Sequence, residues 1–305
     1  MTQTLDTHAA SRTSAPPPVP KGRLRKDRKS VIATAFLLAF LCYFLVPFFW
    51  LVVSATKTNG DLFDSFGFWF SDRFNLLDNV RELFAYSDGV FWHWLANSAW
   101  YAIAGALGAA LLATTAGYGF AKFAFFGRSG MFTLILGTIA VPTTALAVPT
   151  YLMFSKAGLT DTPWAVILPS LVNPIGIYLM RAYVADSVPD EVLEAGRIDG
   201  ASEARIFFRI ALPMTVPGFT TVFLFSLVST WNNYFLPLVM ISDPRWYPVT
   251  VGLAQMNATA NAGGGAQALF SVVVTGALIS IIPLVVAFLL LQRFWQSGLS
   301  AGAVK

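Results

Sequence analysis

Long apolar runs separated by short polar joints set the pattern of this chain. Six runs of 18 or more residues contain no Asp, Glu, Lys or Arg: 31–55, 93–121, 131–155, 163–180, 214–241 and 268–291. About 20 residues of helix cross the hydrocarbon core of a bilayer, so the runs predict six membrane-spanning helices. Prolines puncture the later runs, at Pro142, Pro149, Pro169, Pro174, Pro217, Pro237 and Pro283. A proline inside a span frees a backbone carbonyl, which is tolerated only beside other helices or an internal cavity. Broken helices at midplane often line a transport path. The polar candidates for such a path are Asn173, beside Pro174, and Trp231-Asn232-Asn233-Tyr234 late in the fifth run. The competing reading is interhelical glue, since an amide between spans contributes about 1 kcal/mol.

The fourth and fifth runs are joined by a polar island. Residues 187–217 hold Asp190, Glu191, Glu194, Arg197, Asp199, Glu203, Arg205 and Arg209, with Arg181 and Asp186 just upstream. The local pattern predicts two short helices hinged at a glycine. Ser187 and Pro189 suit the start of the first, with Asp190 and Glu191 where the helix dipole favours anions. Gly200 suits the left-handed residue that ends it. Ser202 suits the cap of the second, with Glu203 in its first turn and Arg209 in its last, and Pro213 is expected to stop it. Ile206, Phe207 and Ile210 fall on one side as an apolar ridge. Such a pair is either a solvated loop or a knob that docks into a partner's groove.

The residues of the island also resemble a known family. Glu194-Ala195-Gly196, Asp199-Gly200-Ala201, Phe207 and Ile210-x-Leu212-Pro213 resemble the EAA loop of ABC importer permeases. In that family the loop forms a coupling helix that enters a cleft on the ATPase subunit. Gly196 stands where the family usually has Ala, a change that lowers helix propensity by up to about 1 kcal/mol. The turn from Ala121 to Arg128, the Trp231-Asn232-Asn233-Tyr234-Phe235-x-Pro237-Leu238 run and the tail from Gln292 to Lys305 are similar to the carbohydrate-uptake branch, of the maltose-transporter type. The resemblance implies one permease subunit of an assembly with an ABC ATPase dimer, a second and different permease subunit, and an extracytoplasmic solute-binding protein. It also implies that Glu194, Asp199 and Gly200 fix the hinge and that Ala201 and Phe207 dock.

Charge fixes the expected topology. With the N-terminus inside, fifteen Lys and Arg residues fall on inside segments, and Lys57, Arg73, Arg81, Lys156 and Arg245 fall outside. This is the positive-inside bias, so the net charge of +4 needs no nucleic-acid partner. Residues 1–30, rich in proline and ending in a basic cluster, read as a disordered cytoplasmic tail that touches anionic lipid. The 25-residue first run has no small-residue cleavage site soon after it and reads as a retained helix. The outside loop 56–92 is dense in Phe and Trp, as an interfacial belt or a platform for an external partner. Residues 242–267 end in a Gly-rich tip, 263–265, whose placement alone matches the binding-protein loop of the maltose type.

The absences narrow the chemistry. The sequence lacks a G-x-x-x-x-G-K-[ST] phosphate cradle, so ATP hydrolysis is assigned to another chain and this one is expected not to be an enzyme. His93 and His8 are far apart, and Cys42 is the single cysteine, so neither a metal site nor a cofactor is expected. Ion-coupled carriers usually place ionisable groups inside a span, and the six runs have none. A secondary transporter or channel is therefore the alternative, as is a permease of the same superfamily for a glycerol phosphodiester or polyamine. The expectation is an all-α integral membrane protein of the type I ABC importer permease fold. Its parts are a tail over 1–30, a six-helix domain over 31–296 with the coupling loop at 187–213, and a cytoplasmic C-terminal tail over 297–305. Its substrate is expected to be a sugar and its place the bacterial inner membrane.

Overall fold

A computed structural model describes residues 31–262 and 269–301. The predicted tail over 1–30 and the Gly-rich tip over 263–265 lie outside the described residues, as do the last four residues. Every regular element among the described residues is helical. Helix α1 (Val31–Ala55) is strongly apolar, with mean hydropathy 2.6 over its best window. Two compact units divide within it. Residues 31–46 of the first are exposed throughout, including Cys42; Phe36 stacks on Phe40, which meets Phe44 edge-on.

The second unit is built around α2 (Val90–Lys122). This helix buries a stripe of small residues, among them Ala102, Gly105, Ala106, Ala109, Ala110, Ala113 and Gly117. Small side chains let neighbouring backbones approach closely, which is where helix packing in a membrane finds its energy. The helices that follow in the chain are α3 (Arg128–Thr138), α4 (Ala147–Lys156), α5 (Trp164–Ser170), α6 (Pro174–Ser187), α7 (Asp190–Ile198), α8 (Glu203–Met214), α9 (Val216–Trp231), α10 (Phe235–Met240), α11 (Val249–Ala262) and α12 (Phe270–Ala301). Helices α6 and α9 flank α2 most extensively. At one end Phe91, Trp94, Leu227, Trp231, Val249, Met256 and Val272 form a core. At the other Ala113, Tyr118, Met180, Val184, Leu193, Ile206 and Ala211 form a second.

The six-run pattern becomes fewer unbroken spans. Val31–Ala55, a window in Leu76–Lys122, Trp164–Ser187 through its kink, and Phe270–Gln292 are long and apolar enough to cross a membrane. Glu203–Met214 with Val216–Trp231 adds a fifth if that pair, bent by 77°, is one span. Run 131–155 is instead split into α3 and α4, of 11 and 10 residues. Residues 139–146 connect them by tight bonds such as Ile139 N–H to Leu136 O and Ala145 N–H to Pro142 O. Pro142 supplies no N–H for a helical bond, and 11 residues rise only about 16 Å.

At the Trp94 end, α2 grips the chain before α11. Trp94 Nε1 donates to Pro244 O at 3.1 Å, Asn97 Nδ2 to Arg245 O at 2.8 Å, and Tyr101 OH to Trp246 O at 3.0 Å. Ser98 Oγ accepts from Val249 N–H at 2.8 Å. Two residues past α1, Lys57 is fully buried, its Nζ donating to Ser65 Oγ and Phe66 O at 2.8 Å each. Most of the aromatic side chains of 63–74 stay exposed, Phe63, Phe66, Trp69 and Phe74 among them.

Candidate functional site

The polar island folds as two helices meeting at a left-handed glycine. Helix α6 runs on to Ser187, so Ser187 closes that helix rather than capping the next. Pro189, extended at ψ 141°, precedes α7, and Asp190 and Glu191 occupy the positive first turn. At the far end Gly200 sits at φ +77°, where a side chain is strained. Its N–H bonds Arg197 O, and Ala201 N–H bonds Gly196 O, both at 3.0 Å. Those two bonds make the paired closure that glycine ends favour. Ser202 then caps α8 through a 3.4 Å bond from Arg205 N–H.

Pro213 does not end α8, contrary to expectation. Residues Phe207–Ala211 widen into a π turn, and the Leu212 N–H reaches back to Phe207 O. Widening the turn shifts the bonding register ahead of the proline, so the missing N–H is absorbed and the helix continues to Met214. The chain then bends 77° at Thr215 into α9.

Two contacts lock this arm. Arg197 Nε donates to Glu203 Oε1 at 2.7 Å and Nη2 to Oε2 at 3.3 Å, bridging the hinge. The Arg197 hydrogen bonds hold the Glu203 carboxyl below its ordinary range, and Glu203 in turn raises the Arg197 guanidinium. A depressed carboxyl contributes only above its unfolded pKa, so the bridge is complete at neutral pH and is lost as acid titrates Glu203. The second contact is Lys122 Nζ to Asp190 Oδ1 at 2.7 Å, tying the end of α2 to the start of α7. The Lys122 side chain is only 7% exposed and that of Asp190 is 74% exposed. Removing the acid leaves a covered ammonium without its partner, whereas removing the lysine leaves a solvated carboxylate. Asp190→Ala is therefore expected to lower stability by on the order of 1 kcal/mol, and Lys122→Met by less, because methionine keeps the stem's packing. Thermal unfolding of the purified complex reads the order; equal losses would count against it.

The ten loop residues chosen from sequence divide between two faces. Gly196 is buried against Ile206 and Ile210; an added Cβ would lie 3.1 Å from Ile210 Cδ1. Ala201, Phe207, Ile210 and Leu212 are half-buried. The Phe207 ring lies 5.1 Å from the Tyr118 ring and packs against the core. Glu194, Ala195, Asp199, Gly200 and Pro213 are exposed. Sequence reasoning passed over the apolar residues that face outward. Ile198 is 87% exposed and Phe208 61% exposed, flanked by Arg205 and Arg209. The available signal was the ridge itself: once Ile206 and Ile210 point inward, the neighbouring Phe208 must point away.

The path candidates divide between local bonds and bonds to a second helix. Asn173 Oδ1 accepts from Gly176 N–H at 2.8 Å, capping α6, and Nδ2 donates to Ser226 Oγ on α9 at 2.8 Å. Trp231 is buried among apolar side chains. Asn232 Nδ2 donates to Val228 O at 2.8 Å, and Asn233 O accepts from Thr250 Oγ1 at 2.8 Å. Tyr234 is exposed at the break between α9 and α10. Asn173→Ala is expected to cost about 2 kcal/mol, a cap plus an interhelical bond, read as a lower thermal midpoint. A normal midpoint would leave path lining as the use of that amide.

Residues 105–299 match the family model described as binding-protein-dependent transport system inner membrane component. The arabinooligosaccharides transport system permease protein AraQ of Halalkalibacterium halodurans is 32% identical over 229 residues, covering 75% of this chain and 79% of that protein. The lactose transport system permease protein LacG of Rhizobium radiobacter is 30% identical over 274 residues, covering 88% and 93%. A crystal structure of a bacterial ABC transporter that imports the acidic polysaccharide alginate has a chain of the same fold. Its TM-score is 0.72 at 24% identity, covering 89% of this chain and 98% of that one.

Proposed function

The chain belongs to the family of binding-protein-dependent transport system inner membrane components, and on that premise we propose that it forms half of the translocation path for a sugar or oligosaccharide. Relatives named for arabinooligosaccharide and lactose transport support the substrate class. A solute-binding protein delivers the sugar from outside, and a second permease subunit of different sequence completes the path. A separate ATPase dimer drives the cycle. The termini and the 187–213 loop face the cytoplasm, in keeping with the positive-inside charge pattern.

The observation that carries this reading is the rigid arm. Its inner face, Leu193, Ile206 and Ala211, is continuous with the core around α2 and α6. Its outer face offers Ile198 and Phe208 among Arg205, Arg209 and Glu194. An apolar patch rimmed by charge suits a partner's groove. Movement of the ATPase pair is passed through α7 and α8 to α6 and α9, which switches the permease between inward- and outward-open states as a rigid-body transition. In this reading Gly200 and the Arg197–Glu203 bridge hold the hinge, Phe207 and Ile210 root it, and Ile198 and Phe208 dock.

Single cysteines at Arg205 and Phe208 test it. Each is expected to form a disulfide or short cross-link with the ATPase subunit, and the captured complex is expected to stop ATP-driven uptake of labelled oligosaccharide. Capture of no ATPase from either position, or uptake in proteoliposomes without one, would sink the proposal.

A further inference from the structure

A second polar feature lies away from the arm. A groove of about 540 Å³ opens beside the N-terminus of α3. Arg128, Ser129 and Thr133 of α3 line it, with Arg181 of α6 across from them and Phe125 and Phe132 as walls. The Arg181 guanidinium lies 3.9 Å above the centre of the Phe132 ring. Arg128 donates one long bond, 3.5 Å, to Ala121 O. Among the described residues, none of the four ion pairs uses either arginine. No carboxylate lines the groove. Two arginines, two hydroxyl-bearing residues and the positive end of an 11-residue helix therefore border one concave space.

We infer that this groove holds the phosphodiester headgroup of an anionic phospholipid, in the leaflet on the side of the 187–213 loop. The surroundings favour lipid over a soluble anion. From the groove the surface of α3 continues as exposed Met131 and Leu134, and Phe126 beside it is fully exposed. That apolar strip would lie under acyl chains while the headgroup met the arginines. Basic pockets between membrane helices bind anionic headgroups on the cytoplasmic side by this division. Arg181 stands six residues before Ser187, so the lipid touches the helix that leads into the arm. The inference needs α3 in a membrane but not the coupling role of the arm, so the two can fail separately.

The test uses the complete transporter, purified and exchanged into bilayers of phosphatidylglycerol or phosphatidylcholine with the same acyl chains. Native mass spectrometry counts the lipid retained. Wild type is expected to retain phosphatidylglycerol selectively, and retention to fall about fivefold for each arginine removed in R128Q, R181Q and the double variant. Arg128→Lys with Arg181→Lys keeps the charge without the fork and is expected to fall between. No selective retention by wild type overturns the inference without reliance on any variant. So does unchanged retention in a double variant of normal assembly. Displacement by excess inorganic phosphate would make the groove a small-anion site. Loss of the ATPase or partner permease from the double variant, with lipid retained, would make it a subunit contact. Either outcome overturns the lipid assignment.

Discussion

Gly200→Val is expected to leave the permease in the membrane at normal levels and to lower ATP-driven uptake by about tenfold, while ATP hydrolysis continues. The reasons are local. At φ +77° the position strains an L side chain by about 1–2 kcal/mol, more for a β-branched one. No heavy atom lies within 4 Å of an added Cβ, so there is no clash to unfold the bundle. The strain is relieved only if the turn leaves the left-handed region. That breaks the Gly200 N–H bond to Arg197 O and the Ala201 N–H bond to Gly196 O, and it misaligns Arg197 with Glu203. Helix α8 then points elsewhere, although its root at Ile206 stays buried. Asparagine tolerates the left-handed region, so Gly200→Asn is expected to transport near the wild-type rate. Normal uptake by the valine variant at normal protein level would remove the hinge from the mechanism. Equal damage from asparagine would show that the conformation of this residue is not what matters.

How much of this was legible beforehand depends on the range of each interaction. Gly200 and Ser202 were readable because a left-handed closure and a hydroxyl cap are decided within four residues. That Ile206, Phe207 and Ile210 share one side was readable from helical spacing; that the side turns inward was not, since Phe207 was expected to dock and instead packs on Tyr118. Pro213 misled because the proline rule assumes an α-helical register, and the π turn at Phe207–Ala211 changes the register before the rule applies. Ser187 misled because it is as good a last residue as a first; only the packing of Val184 into the core extends α6 that far. Run 131–155 looked like one span because hydropathy does not register hydrogen bonds, and the link that holds Pro142 divides it into α3 and α4. The Lys122–Asp190 pair and the grip of Trp94, Asn97 and Tyr101 on 244–247 join residues far apart in sequence. No local pattern encodes such pairings.

Two glycines on α2 give the sharpest contrast in packing. An added Cβ at Gly117 would lie 2.6 Å from Met180 Cβ, 2.7 Å from Arg181 N and 2.8 Å from Met180 C. Two of those atoms are α6 backbone and cannot rotate aside, so α6 must move off α2 as a body. An added Cβ at Gly119 meets nothing within 4 Å. Gly117→Ala is therefore expected to destabilise the permease by about 2–3 kcal/mol through overpacking, against a helix-propensity gain of up to about 1 kcal/mol that both positions share. Gly119→Ala keeps only the gain and is expected to be neutral or slightly stabilising. Thermal midpoints of the two purified complexes, compared with wild type, read the difference in sign. The displacement also has a functional side, because α6 continues into the arm through Ser187 and Asp190, and Asp190 is tied to the end of α2 by Lys122. Whatever Gly117→Ala protein remains folded is expected to hydrolyse ATP with reduced uptake, while Gly119→Ala keeps both. Equal midpoints for the two variants would mean that α2 and α6 are not in backbone contact at Gly117, and the route from arm to bundle would have to run through α9 alone.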